Sequence, residues 1–282
     1  MDEGLPIQGS NSCIAHIVND GGLAVWKNRA EPRALNPKSD HGEKVCALIG
    51  SHAASKHGYA GIAPQAEIYF VAAGSDAGPT LDTMRVMSCI EYLSRQRECD
   101  LISVSAGDVG HPLPALRNVL KSVARRGTLC FFAAGNRGTP LFPAQYDDCM
   151  AVAAVGMSGT APAGTQIEWI HRKESRPVSP TMHVWQGSAR GYSIEFCAPG
   201  VGVIWSRQGA AASAEFGTSF ACPIAVGVAA ILLSNDALYM QTRRKLTRYD
   251  RAIELLTSAS SYDPLGAPRH HNYWRYGLLR VP

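Results

Sequence analysis

Apolar and polar residues fall in blocks along the chain, and the period of the blocks switches between strand-like and helix-like. Cys13–Val18 is a short apolar run ending at Asn19-Asp20-Gly21-Gly22, which predicts a strand running into a turn. Asp40-His41-Gly42-Glu43 predicts a helix start. Asp40 can accept from the open first-turn N–H groups, and Glu43 completes a variant capping box. Glu67–Ala73 reads as a buried strand ending at Gly74. Thr80 is placed to cap a helix in which Leu81, Met84, Met87, Ile90 and Leu93 recur at helical spacing. Leu101–Ser105 reads as a strand ending at Gly107. Pro112–Arg126 reads as a helix with Leu113, Leu116, Leu120 and Val123 on one face and Gly127 as its stop. Thr128–Ala133 and Met150–Val155 follow as strands.

This alternation with short connections implies an α/β fold, a mostly parallel sheet with helices on both faces. Ligands in such folds bind beyond the carboxyl ends of the strands, so the polar residues there are the first place to look for chemistry. Gly156–Arg190 breaks the pattern. It is polar and weakly periodic, and reads as an irregular excursion with a short hairpin around Ile167–Ile170 and Met182–Trp185. Ile194–Pro199 and Val201–Trp205 return as core strands. Ser219–Ser234 is a strongly apolar helix, Tyr249–Thr257 an amphipathic one, and Tyr273–Val281 a tail that docks by its aromatic residues. Without repeats or a linker, residues 1–282 read as one domain.

Composition narrows the class. With 46% hydrophobic and 18% charged residues the chain is not a disordered one, and its 27 Gly and 17 Pro follow no collagen-like period. The longest apolar run, Phe220–Leu233, is shorter than the ~20 residues that span a bilayer, so no membrane contact is expected. Met1–Ser10 carries two acids and no basic leader region. The eight cysteines form no CxxC pair and sit mostly in apolar segments, which reads as buried thiols in a reducing compartment. A cytoplasmic location is the expectation, the alternative being a secreted mature domain with its leader and propeptide removed. Arg243-Arg244-Lys245 with Arg248 and Arg251 reads as a solvated helix face; a net charge of +4 and the lack of a nucleic-acid module argue against nucleic acid.

The chemistry concentrates in Phe216-Gly217-Thr218-Ser219-Phe220-Ala221-Cys222-Pro223, which puts a serine at the mouth of a buried helix. Glycine allows a tight turn there, and a helix N-terminus favours developing negative charge. The segment resembles the Gly-Thr-Ser-x-Ala-x-Pro nucleophile motif of the subtilisin-like serine proteases. Asp20, in Ile17-Val18-Asn19-Asp20-Gly21-Gly22, resembles that family's strand-ending Asp-x-Gly. His41-Gly42-Glu43-Lys44-Val45 is similar to its His-Gly-x-x-Val, and Ala133-Ala134-Gly135-Asn136 to its oxyanion-hole segment. Ser103-Val104-Ser105-Ala106-Gly107 resembles the substrate-binding strand, and Tyr276-Gly277-Leu278-Leu279 the terminal region. The motifs stand in the family's order, Asp then His then Ser, from about Cys13 to the C-terminus.

The resemblance implies a three-layer fold and an acyl-transfer site. His41 would take the Ser219 proton and return it to the leaving amine, while Asp20 fixes the imidazole tautomer. Asn136 and the Ser219 N–H would meet the oxyanion. Ser105, Ala106 and Gly107, with Ala133, Ala134 and Gly135, would pair with an extended substrate. Asp40 is a second candidate for the triad acid, better explained as the helix cap. Glu43 and Lys44 replace the Thr-His common after His-Gly, at positions past the catalytic histidine.

Three functions are compatible with this set: an endopeptidase acting on a polypeptide substrate, a peptide ligase or macrocyclase using the same acyl-enzyme, and a non-catalytic peptide-binding pseudoprotease. The excursion is the candidate lid for a ligase. No cofactor is expected. The family often binds calcium, but no EF-hand or dense carboxylate run appears, so no metal site is carried over. Restraint of activity would come from a regulatory segment or partner chain outside the sequence. Cys46 and Cys222, close to His41 and Ser219, are the expected targets of mercurial inhibition.

Overall fold

Apolar runs without alternation form the middle layer, as strands covered on both faces require. The computed structural model describes residues 16–20, 23–27, 41–50, 60–71, 73–75, 78–81, 83–107, 110, 112–205, 213–262, 265 and 273–281. In chain order the elements are β1 (His16–Asp20), β2 (Leu23–Lys27), α1 (His41–Gly50), β3 (Tyr69–Val71), β4 (Gly74–Ser75), β5 (Gly78–Leu81), α2 (Thr83–Arg95), β6 (Leu101–Val104), α3 (Pro114–Ala124), β7 (Leu129–Ala133) and β8 (Met150–Met157). They continue as α4 (Gln166–Lys173), β9 (Ser175–Pro177), β10 (Met182–Trp185), β11 (Phe196–Trp205), β12 (Ser213–Phe216), α5 (Thr218–Ser234), α6 (Ala237–Gln241), α7 (Leu246–Ser258), β13 (Ser260–Ser261) and β14 (Gly277–Leu279).

β6, β7, β8, β11 and β14 lie side by side in one parallel sheet, with Val104 opposite Phe132, Ala133 opposite Val152, Phe196 opposite Val152 and Cys197 opposite Leu278. β12 pairs antiparallel with β11, β10 with β8, β9 with β10 and β13 with β14. Alternate residues of β7 serve opposite layers. Cys130 and Phe132 join Ile90, Leu93, Leu120 and Val123 of α2 and α3, whereas Leu129, Phe131 and Ala133 join Ala221, Ala225 and Ala229 of α5. Those alanines are fully buried and recur every fourth residue, so the helix lies close on the sheet. Helices thus cover both faces of the parallel sheet, the α/β three-layer arrangement read from the sequence.

Several elements differ from the sequence reading. β1 forms a hairpin with β2, Asp20 facing Leu23, and β2 pairs with β3 in a separate antiparallel sheet. Cys13 and Asp40 lie outside the described residues, as does the side chain of Glu43. Thr80 belongs to β5, and the helix expected from it starts at Thr83. Ile167–Ile170 is helical, not part of a hairpin. Thr165 Oγ1 accepts from Glu168 N at 3.3 Å, Glu168 accepts from Gly164 N at 2.7 Å, and Ile167 and Ile170 point inward at helical spacing. Met182–Trp185 is a strand, but its hairpin partner is β9. The two expected strands after Ile194 fuse into β11, with an irregular register between Pro199 and Val201.

Three cations of the basic run are ion-paired, while Arg243 and Lys245 are exposed. Arg244 and Arg248 both donate to Asp100, at 2.8 and 2.9 Å, and Arg251 binds Asp236 at 2.6 Å and Glu254 at 2.7 Å. Arg248 is buried and lies over the Tyr239 ring, 4.0 Å from its centroid. This corrects the picture of a solvated face: three of these cations anchor the C-terminal helices. Among the described residues no helix is long and apolar enough to cross a membrane.

Candidate active site

Ser219 is the second residue of α5, where a helix has no internal acceptor for its N–H groups. Gly217 precedes the helix at φ +138°, a conformation side-chain-bearing residues rarely adopt, and a Cβ there would come within 3.3 Å of Asn136 Nδ2. Asn136 follows β7. Its Oδ1 accepts from the Thr218 N–H at 2.8 Å and the Thr218 hydroxyl at 2.9 Å. With Oδ1 so occupied, the amide nitrogen lies on the Gly217 side, next to the helix mouth. Thr218 Oγ1 also accepts from Gly135 N at 3.0 Å. Thr218 was not singled out in the sequence, although it is the middle residue of Gly-Thr-Ser.

Pro223 stands four residues after Ser219 and has no N–H to close the helix ladder onto the Ser219 carbonyl. Ser105 Oγ donates to that carbonyl instead, at 2.8 Å, and Ser219 Oγ donates to Ser105 O at 3.3 Å. Ser105 is buried just beyond β6, Ala106 is half-buried and Gly107 exposed. Ala133 ends β7. The Ala134 N–H is bound to Val152 O and its C=O to Leu141 N, while Gly135 O accepts from Ala189 N. The main-chain groups of Ala134 and Gly135 are therefore taken up within the protein.

His41 opens α1, which packs on α5. Its ring is tilted against Phe220, the residue after Ser219, with centroids 5.4 Å apart. Asp20 ends β1 in the backbone ladder, and its carboxylate lies outside the described residues. The structure thus brings His41, Asn136 and Ser105 to the first residues of α5, Thr218 to Phe220. One turn after His41, Lys44 binds Glu215 of β12 at 2.8 Å and lies over Trp205, which ties α1 to the strand leading into Gly217. Trp185 of β10 meets Phe216 edge to face at 5.6 Å.

Two acids of different kinds are buried in the fold. Cys222, fully buried, has its Sγ 3.6 Å from Ser103 Oγ, and burial pushes its thiol up to about 11. Glu195 is buried just before β11 and accepts from Ala151 N at 2.8 Å. Burial raises its carboxyl to about 8, against the opposing pull of that N–H. Nothing in the sequence marked Glu195, because a single acid before a strand normally faces water. None of the seven described cysteines is in a disulfide. Among the described residues no three His, Cys, Asp or Glu side chains converge as a metal-holding group.

Residues 19–270 match the model of the Subtilase family. The chain belongs to that family. Subtilisin E of Bacillus subtilis (strain 168) is 27% identical over 211 residues, which cover 72% of this chain and 49% of the relative. A thermophilic serine proteinase of Bacillus sp. (strain AK1) is 24% identical over 251 residues, 88% of this chain and 55% of the relative. This subtilase spans about half the length of those curated relatives. Among solved structures, sphericase superposes with a TM-score of 0.66 at 22% identity, over 99% of this chain and 90% of its own. The prenylagaramide maturation protease PagA superposes at 0.60 and 22% identity, over 86% and 80%. These likenesses show the subtilisin-like fold, and the family and curated relatives are serine proteases.

Proposed function

We propose that this subtilase is a serine endopeptidase in which Ser219 attacks the peptide carbonyl, His41 relays the proton and Asp20 orients the imidazole. The observation that supports the reading is the Asn136–Thr218 bond pair, which holds the Asn136 amide beside the two residues that precede Ser219. Ser219 Oγ would lose its proton to His41 as the tetrahedral adduct forms. The oxyanion would then be met by Asn136 Nδ2 and the Ser219 N–H, two donors already fixed by the fold. His41 would next protonate the leaving amine, and water would release the acyl group by the reverse sequence. α1 begins at His41, so the positive end of its dipole disfavours the imidazolium. A carboxylate partner such as Asp20 offsets this. The substrate would run along Ser105–Gly107, the continuation of β6, which reaches the surface at Gly107.

A fluorophosphonate probe tests the proposal. Wild type should be labelled on Ser219 and Ser219→Ala should not; absence of labelling on folded wild type would leave the peptide-binding reading in its place. Two fold neighbours, PagA and PatA, are described as maturation proteases, of prenylagaramide and patellamide. Precursor peptides are therefore sensible substrates to try, and mass spectrometry of the products, linear against cyclic, separates hydrolysis from ligation.

A further inference from the structure

β6 and β7 are paired as far as Val104 and Phe132, and their continuations, Ser105–Gly107 and Ala134–Asn136, then carry the backbone to the start of α5. The side chain of Leu141 lies between these two continuations. A Cβ on Gly107 would fall 3.0 Å from Leu141 Cβ and 3.3 Å from its Cδ1. A Cβ on Gly135 would fall 2.6 Å from Leu141 Cγ and 3.1 Å from the same Cδ1. The isobutyl group therefore touches both glycines at once and leaves no room for a methyl group on either. The two glycines bring no side chain of their own to the gap, and Leu141 closes it.

Leu141 is held where it stands. Its N–H donates to Ala134 O at 2.8 Å. The loop that carries it is tied at Gly138, whose N–H donates to Gly187 O at 2.8 Å and whose carbonyl accepts from Arg190 N at 3.3 Å. It is tied again at Pro140, whose carbonyl accepts from the Gln145 amide at 2.6 Å. The next residue, Phe142, packs on Tyr146 with ring centroids 5.4 Å apart. A loop fastened at these points presents Leu141 as a fixed surface, one that an entering side chain does not push aside without breaking hydrogen bonds.

The endopeptidase reading sets the acyl residue of a substrate over this gap. Its carbonyl carbon has to reach Ser219 Oγ, and its oxygen has to lie between Asn136 Nδ2 and the Ser219 N–H. Its main chain has to pass beside Ser105, whose carbonyl already accepts from Ser219 Oγ at 3.3 Å. Resting on that reading, we propose that Leu141 determines specificity. It floors the gap at a shallow depth, so the substrates are polypeptides with a small side chain, that of glycine, alanine or serine, on the acyl side of the cleaved bond. A leucine or phenylalanine in that place would have to occupy space that an anchored apolar side chain already fills.

Peptides varied only at the acyl residue test it. For wild type, kcat/KM with Ala should exceed that with Phe by about tenfold or more. Leu141→Ala, which removes the branched end of the side chain, should shift the Phe-to-Ala ratio toward Phe by about tenfold or more. Leu141→Met, of similar volume, should keep the wild-type order. Each ratio is taken within one preparation, so a variant that folds in low yield still reports it; should Leu141→Ala not fold at all, Leu141→Val carries the comparison. Wild type that cleaves after Phe as fast as after Ala, or a ratio unmoved by shortening Leu141, would overturn the inference and leave the endopeptidase reading standing. Fluorophosphonate labelling reports on that reading separately. If folded wild type is not labelled, binding decides the point without chemistry. Ser219→Ala should then hold a peptide ending in Ala about tenfold more tightly than the same peptide ending in Phe. Equal affinities would overturn the inference.

Discussion

Ser105 and Ser219, remote in sequence, exchange hydrogen bonds: the Ser105 hydroxyl donates to the Ser219 carbonyl and the Ser219 hydroxyl to the Ser105 carbonyl. The exchange follows from Pro223, which withholds the N–H that would otherwise occupy the Ser219 carbonyl. A proline inside a buried helix thereby couples the backbone of Ser219, the proposed nucleophile, to the strand that is proposed to bind substrate.

Ser105→Ala should expose that coupling. It leaves the Ser219 carbonyl without its donor, at a cost of about 1–3 kcal/mol. The expected result is a lower unfolding midpoint together with reduced kcat on a peptide substrate. Unchanged stability with unchanged kcat would show that the bond contributes nothing.

Asn136→Ala tests the oxyanion assignment. Loss of one donor costs about 3–4 kcal/mol of transition-state stabilisation, a fall in kcat of roughly 10²–10³-fold, with KM little altered. A change confined to KM would assign Asn136 to substrate binding. Because its Oδ1 also holds Thr218, circular dichroism on the variant should accompany the kinetics.

Glu195 gives stability a pH dependence of definite sign. Its carboxyl titrates at about 8 in the folded protein against an ordinary 4.5, so on raising the pH the unfolded chain loses this proton first. The contribution is whole below about pH 4.5 and is lost progressively as the pH rises through about 8. Glu195→Gln keeps an acceptor for Ala151 N and cannot ionise. Its thermal midpoint should match wild type near pH 4.5 and exceed it above pH 8; parallel curves would refute the assignment.

Thiol chemistry should separate Cys46 from Cys222. Cys222 is fully enclosed and stays protonated at neutral pH, its thiol standing at about 11, so native labelling there should be slow. Cys46 lines a cavity of about 410 Å³ between α1, α5 and β6. A small mercurial should inhibit through Cys46, and Cys46→Ala should abolish that inhibition. Full activity after stoichiometric labelling of Cys46 would end the idea.

Arg248→Leu should destabilise the C-terminal helices. The guanidinium donates to the Tyr239 and Thr242 carbonyls, both at 2.8 Å, and to Asp100 at 2.9 Å. Replacing it strands those acceptors, with an expected loss of about 2–3 kcal/mol by denaturant titration. A variant as stable as wild type would show that apolar packing replaces the charge without loss.

The central layer was readable because β6, β7 and β8 are uninterrupted apolar runs, the pattern of strands buried on both faces. The turns that carry Ser219 and Asn136 were readable because glycine punctuates both. The α4 helix was lost among prolines and polar residues, although its cap, Thr165 with Glu168, was present in the sequence. The arginines were misjudged for another reason. Asp100 lies more than a hundred residues from Arg244 and Arg248, and such pairings arise only on folding. Burial of Glu195 is likewise a product of tertiary packing, which one-dimensional patterns do not encode.

The ends of the β8-to-Ser188 segment lie close together, since Ser188 Oγ accepts from Ala154 N at 2.8 Å and β8 pairs directly with β11. The helix and hairpin between them leave and rejoin the sheet at nearly the same point. Such a piece can be shortened, exchanged or grafted without rethreading the strands beneath it. It marks where this scaffold can acquire new recognition, provided a replacement keeps the Trp185 contact on Phe216 that backs the strand before Ser219.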